Sequence, residues 1–230
     1  MKTIGLIGGT SWVSTIEYYK IINQLTNERL GNLHSAKILL YSIDFDEFKM
    51  LADQNEWQEI AGIFIHAAQR LESAGADCIA LCSNTTHIIA DDVQESISIP
   101  LIHIVDATAT AIAEKKITKT GLLGTKFTME QPFFTERLRS LGIEPVIPNE
   151  SERTFIHESI FGELTKNIFH EETKQRYLEI IARLLQQGAK GMIFGCTEIP
   201  LLIKPNECPV PVFDTTVIHA KAAVDFALSK

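Results

Sequence analysis

The segment Arg70-Leu71-Glu72-Ser73-Ala74-Gly75-Ala76-Asp77-Cys78-Ile79 returns later in altered form, as Arg183-Leu184-Leu185-Gln186-Gln187-Gly188-Ala189-Lys190-Gly191-Met192. Arginine, leucine, glycine and alanine recur at matching places, 113 residues apart. Two further echoes keep the same order. Ile4-Gly5-Leu6-Ile7-Gly8 resembles Thr120-Gly121-Leu122-Leu123-Gly124, and Ile99-Pro100-Leu101-Ile102 resembles Val210-Pro211-Val212-Phe213. One duplicated unit accounts for all three pairs.

Working outward, strand-like and helix-like stretches alternate. Ile4–Ile7 is a short apolar run, and Gly8-Gly9-Thr10-Ser11 turns into a helix with apolar spacing at Ile16, Tyr19, Ile22 and Leu25. Lys37–Ser42 reads as a strand. Trp57–Ala74 reads as a long helix ended by Gly75, and Cys78–Leu81 as the next strand. The polar cluster Cys82-Ser83-Asn84-Thr85-Thr86-His87 opens a helix running to about Ser96, and Pro100–Val105 reads as a further strand. This alternation predicts an α/β fold of two similar lobes with parallel sheets, related by a pseudo-twofold axis. The expected division is 1–100 plus 210–230 for the first lobe and 101–209 for the second. The return of the chain is inferred from the echo of the first lobe's last strand at Val210–Phe213.

The duplication has a chemical consequence. Extending the main alignment without a gap sets Ser83 opposite Cys196 and Asn84 opposite Thr197. Both pairs fall just after a strand, where open α/β sheets bind ligands. Helix N-termini there offer free backbone N–H groups and partial positive charge. Taken singly, each residue reads as a small side chain in a tight turn. As a symmetric pair they read as chemistry, facing each other across a cleft between the lobes.

Composition sets the limits. The chain has 230 residues, 45% hydrophobic and 22% charged, with formal net charge −8. That is room for a sizeable core. No dense Lys/Arg run is present, so neither nucleic acid nor an anionic membrane is an expected partner. The chain opens directly on a strand and has no apolar run of membrane-spanning length, so a cytoplasmic location is expected. The four cysteines are then expected as free thiols. Cys78 and Cys82 point to one face of their strand, and with Cys208 they read as small core residues. No metal-ligand spacing is present, and no metal is expected. Gly5-Leu6-Ile7-Gly8-Gly9 lacks the dinucleotide-binding glycine spacing, and no phosphate-loop lysine follows.

Gly8-Gly9-Thr10-Ser11-Trp12, Ser83-Asn84-Thr85-Thr86-His87, Gly121-Leu122-Leu123-Gly124-Thr125 and Gly195-Cys196-Thr197-Glu198 together resemble the aspartate/glutamate racemase family, in order and over essentially the whole chain. With Thr128-Met129-Glu130, the sequence is nearest to a branch of broad-specificity amino-acid racemases. The resemblance implies two Rossmann-like lobes, no pyridoxal phosphate or other cofactor, no metal, an amino-acid substrate and a homodimer. Family members usually carry Cys-Asn-Thr in the first lobe and Gly-Cys-Thr in the second. Here the first reads Ser83-Asn84-Thr85, with Cys82 one place early and turned to the opposite face.

Racemisation removes the α-proton from one face and returns one to the other, so Ser83 and Cys196 are the candidate catalytic pair. A free thiol has a pKa of about 8.5, whereas a serine hydroxyl needs help to act as a base. His87 and Glu198 are the supporting candidates. Asn84, Thr85 and Thr197, joined by Thr10, Thr125 and Thr128, are the candidate substrate-binding residues, and all are also plausible helix caps. Lys49 and Lys166 are candidates for a side-chain carboxylate. The alternatives are a related decarboxylase, cis–trans isomerase or hydantoin racemase using one cysteine, or a non-catalytic binder of acidic metabolites.

Overall fold

The computed structural model describes residues 1–229. Its first sheet follows from apolar runs buried on both faces, the pattern of parallel strands. The elements are β1 (Ile4–Gly8), α1 (Trp12–Leu30), β2 (Ile38–Ser42), α2 (Phe45–Asp53), α3 (Trp57–Ser73) and β3 (Cys78–Leu81), then a 3-10 turn over Thr85–Ile89 and α4 (Ala90–Glu95). The strands are parallel in the order β2-β1-β3, with Ile7 beside Leu81 at the carboxyl ends. Next to β3, Leu101 adds a single parallel bridge to Ile79. The run over 100–105, expected as a full strand, stops there because α5 (Ile104–Glu114) begins.

The second sheet repeats the scheme with β4 (Lys119–Gly124), α6 (Lys126–Glu130), α7 (Pro132–Ser140), β5 (Glu144–Val146), α8 (Glu150–Gly162), α9 (Glu171–Gln186), β6 (Met192–Gly195), α10 (Ile199–Leu202), β7 (Val212–Asp214) and α11 (Thr215–Leu228). Its order is β5-β4-β6-β7, all parallel. Each echo in the sequence therefore marks the same structural place twice. The chain is an α/β protein of two similar units, Met1–Ile104 with the segment from His219 onward, and Val105–Ile218.

The boundary differs from expectation in one respect. The strand near 210, expected to finish the first lobe, pairs with β6 in the second sheet, Ile193 beside Phe213. It occupies in its own unit the place that Leu101 occupies in the first. What returns to the first unit is α11. Its Ala220, Ala223, Val224 and Ala227 pack against Ile4, Leu6, Tyr18, Ile22 and Cys78. The opposite face of that sheet is covered by Phe64, Ala67, Ala68 and Leu71 of α3, with Phe48 and Val93, against Ile7, Ile79 and Leu81. Cys78 and Cys82 lie fully buried on the α11 side. Burial pushes the Cys78 thiol up to about 12 and raises that of Cys82 as well, so both are inert core groups.

The turn after β1 depends on Gly9. Its φ is +100°, and a Cβ there would lie 2.1 Å from the Ile43 carbonyl oxygen. Its N–H donates to Thr15 Oγ1 at 2.9 Å. A left-handed conformation costs other residues about 1–2 kcal/mol, and overpacking adds about 1–3 kcal/mol. Gly9→Ala is therefore expected to destabilise the protein by roughly 3 kcal/mol, read as a fall in the urea midpoint. An unchanged midpoint would contradict this account of the turn.

Candidate active site

In the first unit the polar loops leave the carboxyl ends of neighbouring strands. Gly8 ends β1, and Thr10 and Ser11 follow. Leu81 ends β3, and Cys82, Ser83 and Asn84 follow. Ser14 Oγ donates to the Cys82 carbonyl at 2.8 Å, tying the first turn of α1 to the residue before Ser83. Ser83 is half-buried between buried neighbours, and its hydroxyl has no hydrogen-bond partner among the described residues. Thr10 Oγ1 and Ser11 Oγ are buried and likewise without a partner among the described residues. Buried hydroxyls are normally satisfied, so two orphans at a strand end mark a place that a polar ligand would complete. Asn84 and Thr85, just after β3, are buried as well.

Beneath Ser83 lies a lattice of buried rings. His87 Nε2 is the acceptor for the Ile104 N–H at 3.2 Å. That nitrogen is therefore unprotonated, and the ring proton sits on Nδ1, which donates to the Ser83 carbonyl at 2.8 Å. His219 is fixed as the other tautomer. Its Nε2 donates to the Ile102 carbonyl at 2.6 Å, and its Nδ1 accepts from the Tyr18 hydroxyl at 2.8 Å. The His87 ring meets those of His103 and His219 edge-on, with centroids 4.8 and 5.4 Å away. Burial, followed by the facing imidazoles of His103 and His219, holds His87 well below the usual imidazole range against the opposing pull of the Ser83 carbonyl. Burial lowers His219 to about 4, with the Ile102 carbonyl opposing.

In the second unit Gly124 pairs with Gly195, so Thr125 and Cys196 begin side by side. Cys196 is half-buried, and its thiol donates to Glu198 Oε2 at 2.8 Å. Thr197 Oγ1 donates to the same oxygen at 2.7 Å. Burial raises the Cys196 thiol well above its ordinary value, and the Glu198 charge and hydrogen bond raise it further. The resting pair is a neutral thiol held on a buried carboxylate, a proton donor whose proton already has an acceptor. Thr125 caps α6, its hydroxyl accepting from the Thr128 N–H at 3.3 Å. Thr128 is fully buried, and at the start of α11 Thr216 Oγ1 is buried without a partner among the described residues.

Residues 7–223 match the model of the Asp/Glu/hydantoin racemase family. The chain belongs to that family. This racemase is 49% identical, over all of both chains and with a TM-score of 0.95, to a Yersinia pestis protein provisionally described as an Asp/Glu racemase. An aspartate racemase homologue from Pyrococcus horikoshii OT3 is 37% identical over all of both chains, with a TM-score of 0.88. The broad specificity amino-acid racemase RacX of Bacillus subtilis is 27% identical over 74% of each chain. The protein is accordingly an isomerase of the racemase class. Among the described residues, no helix is long and apolar enough to cross a membrane.

The racemase gathers Thr10, Ser83, Asn84, Thr85 and His87 at one strand-end cluster of the first unit, and Thr125, Thr128, Cys196, Thr197 and Glu198 at the matching cluster of the second. His87 is turned to the Ser83 carbonyl rather than to its hydroxyl. Lys49 instead pairs with Asp53 at 2.5 Å on α2, and Lys166 is exposed in a 3-10 turn. Ser11, Tyr18, His103 and His219 were not legible as site residues. Their only sequence signal is polar character at positions that helical or strand spacing makes buried.

The histidine lattice has a measurable consequence. Unfolded histidine takes up a proton near 6.5, while native His87 and His219 refuse it until well below that value, about 4 for His219. Between those values the unfolded state binds more protons, so stability is full above about pH 6.5 and falls as the pH drops toward 4. Each ring contributes up to about 1.4 kcal/mol of loss per pH unit. The urea midpoint should fall between pH 7 and pH 5, and replacing both rings by glutamine should flatten that fall. A wild-type midpoint that stays level would show that the rings are not buried neutral.

Proposed function

We propose that this protein racemises a free amino acid without pyridoxal phosphate or metal, Cys196 serving one face of Cα and Ser83 the other. The observation that carries the reading is the Cys196–Glu198 contact of 2.8 Å, placed at the end of β6 where Ser83 stands at the end of β3. For Cys196 to act as base, its proton moves to Glu198 Oε2, and the thiolate then takes the α-proton. The substrate carbanion is reprotonated from the opposite face by Ser83 or by water behind it. In reverse, the resting thiol is already protonated and acts as the acid. Acid and base on opposite sides of one carbon are what inversion demands.

The substrate is aspartate, glutamate or a close relative. Support comes from the chain's likeness to an aspartate racemase homologue and a broad-specificity racemase, and from a glutamate racemase of Exiguobacterium sibiricum 26% identical over 64% of this chain and 56% of that one. The orphan hydroxyls of Thr10 and Ser11, with Asn84 and Thr85, suit the α-carboxylate from the first unit. Thr125, Thr128 and Thr197 with their backbone N–H groups supply the second. The same reading holds the enzyme to be cytoplasmic and a homodimer.

The test is an amino-acid panel scored for α-deuterium in heavy water. Cys196→Ala should lose turnover by about 10²–10⁴-fold, the usual contribution of a general acid–base group. Ser83→Ala should slow inversion yet keep wash-in with retained configuration for the enantiomer whose α-proton faces Cys196. Glu198→Gln removes the acceptor for the thiol proton and should lower kcat more than it raises KM. A Cys196→Ala protein racemising at the wild-type rate ends the reading.

A further inference from the structure

The hydroxyl of Ser83 has no side-chain partner among the described residues, so the backbone, which places its Cβ, decides what the hydroxyl can reach. That backbone is held from below. The Ser83 carbonyl accepts from Thr86 Oγ1 at 2.9 Å and from His87 Nδ1 at 2.8 Å, and the His87 N–H closes the turn onto the Asn84 carbonyl at 3.1 Å. Both ring nitrogens of His87 are thus committed to backbone groups, one to Ser83 and one to Ile104. The ring has no lone pair left for the serine hydroxyl, which rules out a base-and-nucleophile pair. It also lies against His103 and His219, the latter fastened to Ile102 and Tyr18. Ile104 is the last residue of the first unit before the chain leaves it, and His219 is the first on its return. One imidazole therefore ties the Ser83 loop to both of those points.

We infer that His87 is a positioning residue for Ser83: through the Ser83 carbonyl it sets the register of the serine hydroxyl, with His103 and His219 holding the ring in its plane. This rests on the racemase reading above. A misplacement of about 1 Å at a reacting group can cost on the order of 10²-fold, so loss of the carbonyl contact should be visible in turnover. The loss should also be one-sided. The hydrogen bonds and ring contacts described for His87 are all made within the first unit, so the step assigned to Cys196 should be spared.

Two substitutions separate the ring's two contacts. His87→Gln places an amide near the Nε2 position, keeping an acceptor for the Ile104 N–H while releasing the Ser83 carbonyl. His87→Asn places an amide N–H near the Nδ1 position and keeps the Ser83 contact. In heavy water, wild-type wash-in is measured separately for each enantiomer, and the Cys196 face is identified with Ser83→Ala. His87→Gln should lose wash-in on the Ser83 face by on the order of 10²-fold and stay near wild type on the Cys196 face. His87→Asn should recover most of the lost rate. Equal losses on both faces, or an Asn variant no better than Gln, would overturn the inference. Amide hydrogen exchange supplies a readout independent of turnover. The residue-87 amide should exchange faster in the Gln variant and remain protected in the Asn variant; unchanged protection in Gln would also overturn the inference. A wild-type protein that exchanges no α-proton at either face overturns the racemase reading instead, and the amide result then decides the positioning claim alone.

Discussion

A parallel sheet must be covered on both faces, and in the first unit one of those covers is α11. Its Ala220, Ala223 and Ala227 recur at helical spacing, and their small side chains let the helix lie close on Ile4, Leu6 and Cys78. The contact is fastened at the far end by Lys2 N–H on the Ala227 carbonyl at 2.9 Å and by the Arg29–Asp225 ion pair at 2.5 Å. At the near end the helix delivers His219, whose ring holds the Ile102 carbonyl and accepts from Tyr18. Cover and site are therefore one construction. Without the helix, Ile4 and Leu6 lose their shelter, and the segment from Ile102 to Ile104 loses the group that fixes it beside His87.

Duplication has kept the backbone plan and changed the chemistry on it. On the 113-residue alignment Glu198 stands opposite Thr85, and His87 opposite Pro200. On the proposed mechanism, each loop has its own means of controlling a reacting group. In the second unit a buried carboxylate takes hold of the thiol itself, so control is electrostatic and acts on the proton. In the first unit an imidazole takes hold of the serine's own backbone carbonyl, so control is geometric and acts on placement. The difference matches the two groups. The thiol already touches the carboxylate that would take its proton, whereas a serine hydroxyl is so weak an acid that placement is the more effective lever.

The sequence made the strands and the repeat legible because both rest on local patterns. Cys78–Leu81 is an unbroken apolar run, and it forms β3 over those residues. Ser83 and Cys196 were legible because the repeat aligns them without a gap. The misplaced strand shows the limit of the same method. The echo at Val210–Phe213 identifies a position within a unit and says nothing about which unit holds it, since pairing with β6 is decided by neighbourhood in space. The Cys196–Glu198 contact spans two residues in a loop, where neither helical nor strand spacing applies. His219 joins His87 and His103 only because α11 returns, so a contact whose last two members stand 116 positions apart leaves no local trace.

Threonine against glycine explains how a helix's first turn packs closely on a strand end in each unit. In the second unit, a Cβ at Gly124 would lie 2.9 Å from the Gly195 carbonyl oxygen and 3.0 Å from Thr128 Cβ, and one at Gly195 would lie 3.0 Å from Thr128 Cγ2. Thr128 thus packs down into space that only paired glycines leave, which is why it is fully buried and why the first turn of α6 rests on the strand ends. In the first unit a Cβ at Gly8 would lie 2.5 Å from both Thr15 Oγ1 and Thr15 Cγ2, and Thr15 in turn accepts the Gly9 N–H. The same residue pair therefore brings a helix's first turn onto a strand end twice. In each case the candidate catalytic residue follows the end of the adjacent strand, Cys196 directly after Gly195 and Ser83 two residues after Leu81, the strand end that pairs with Ile7.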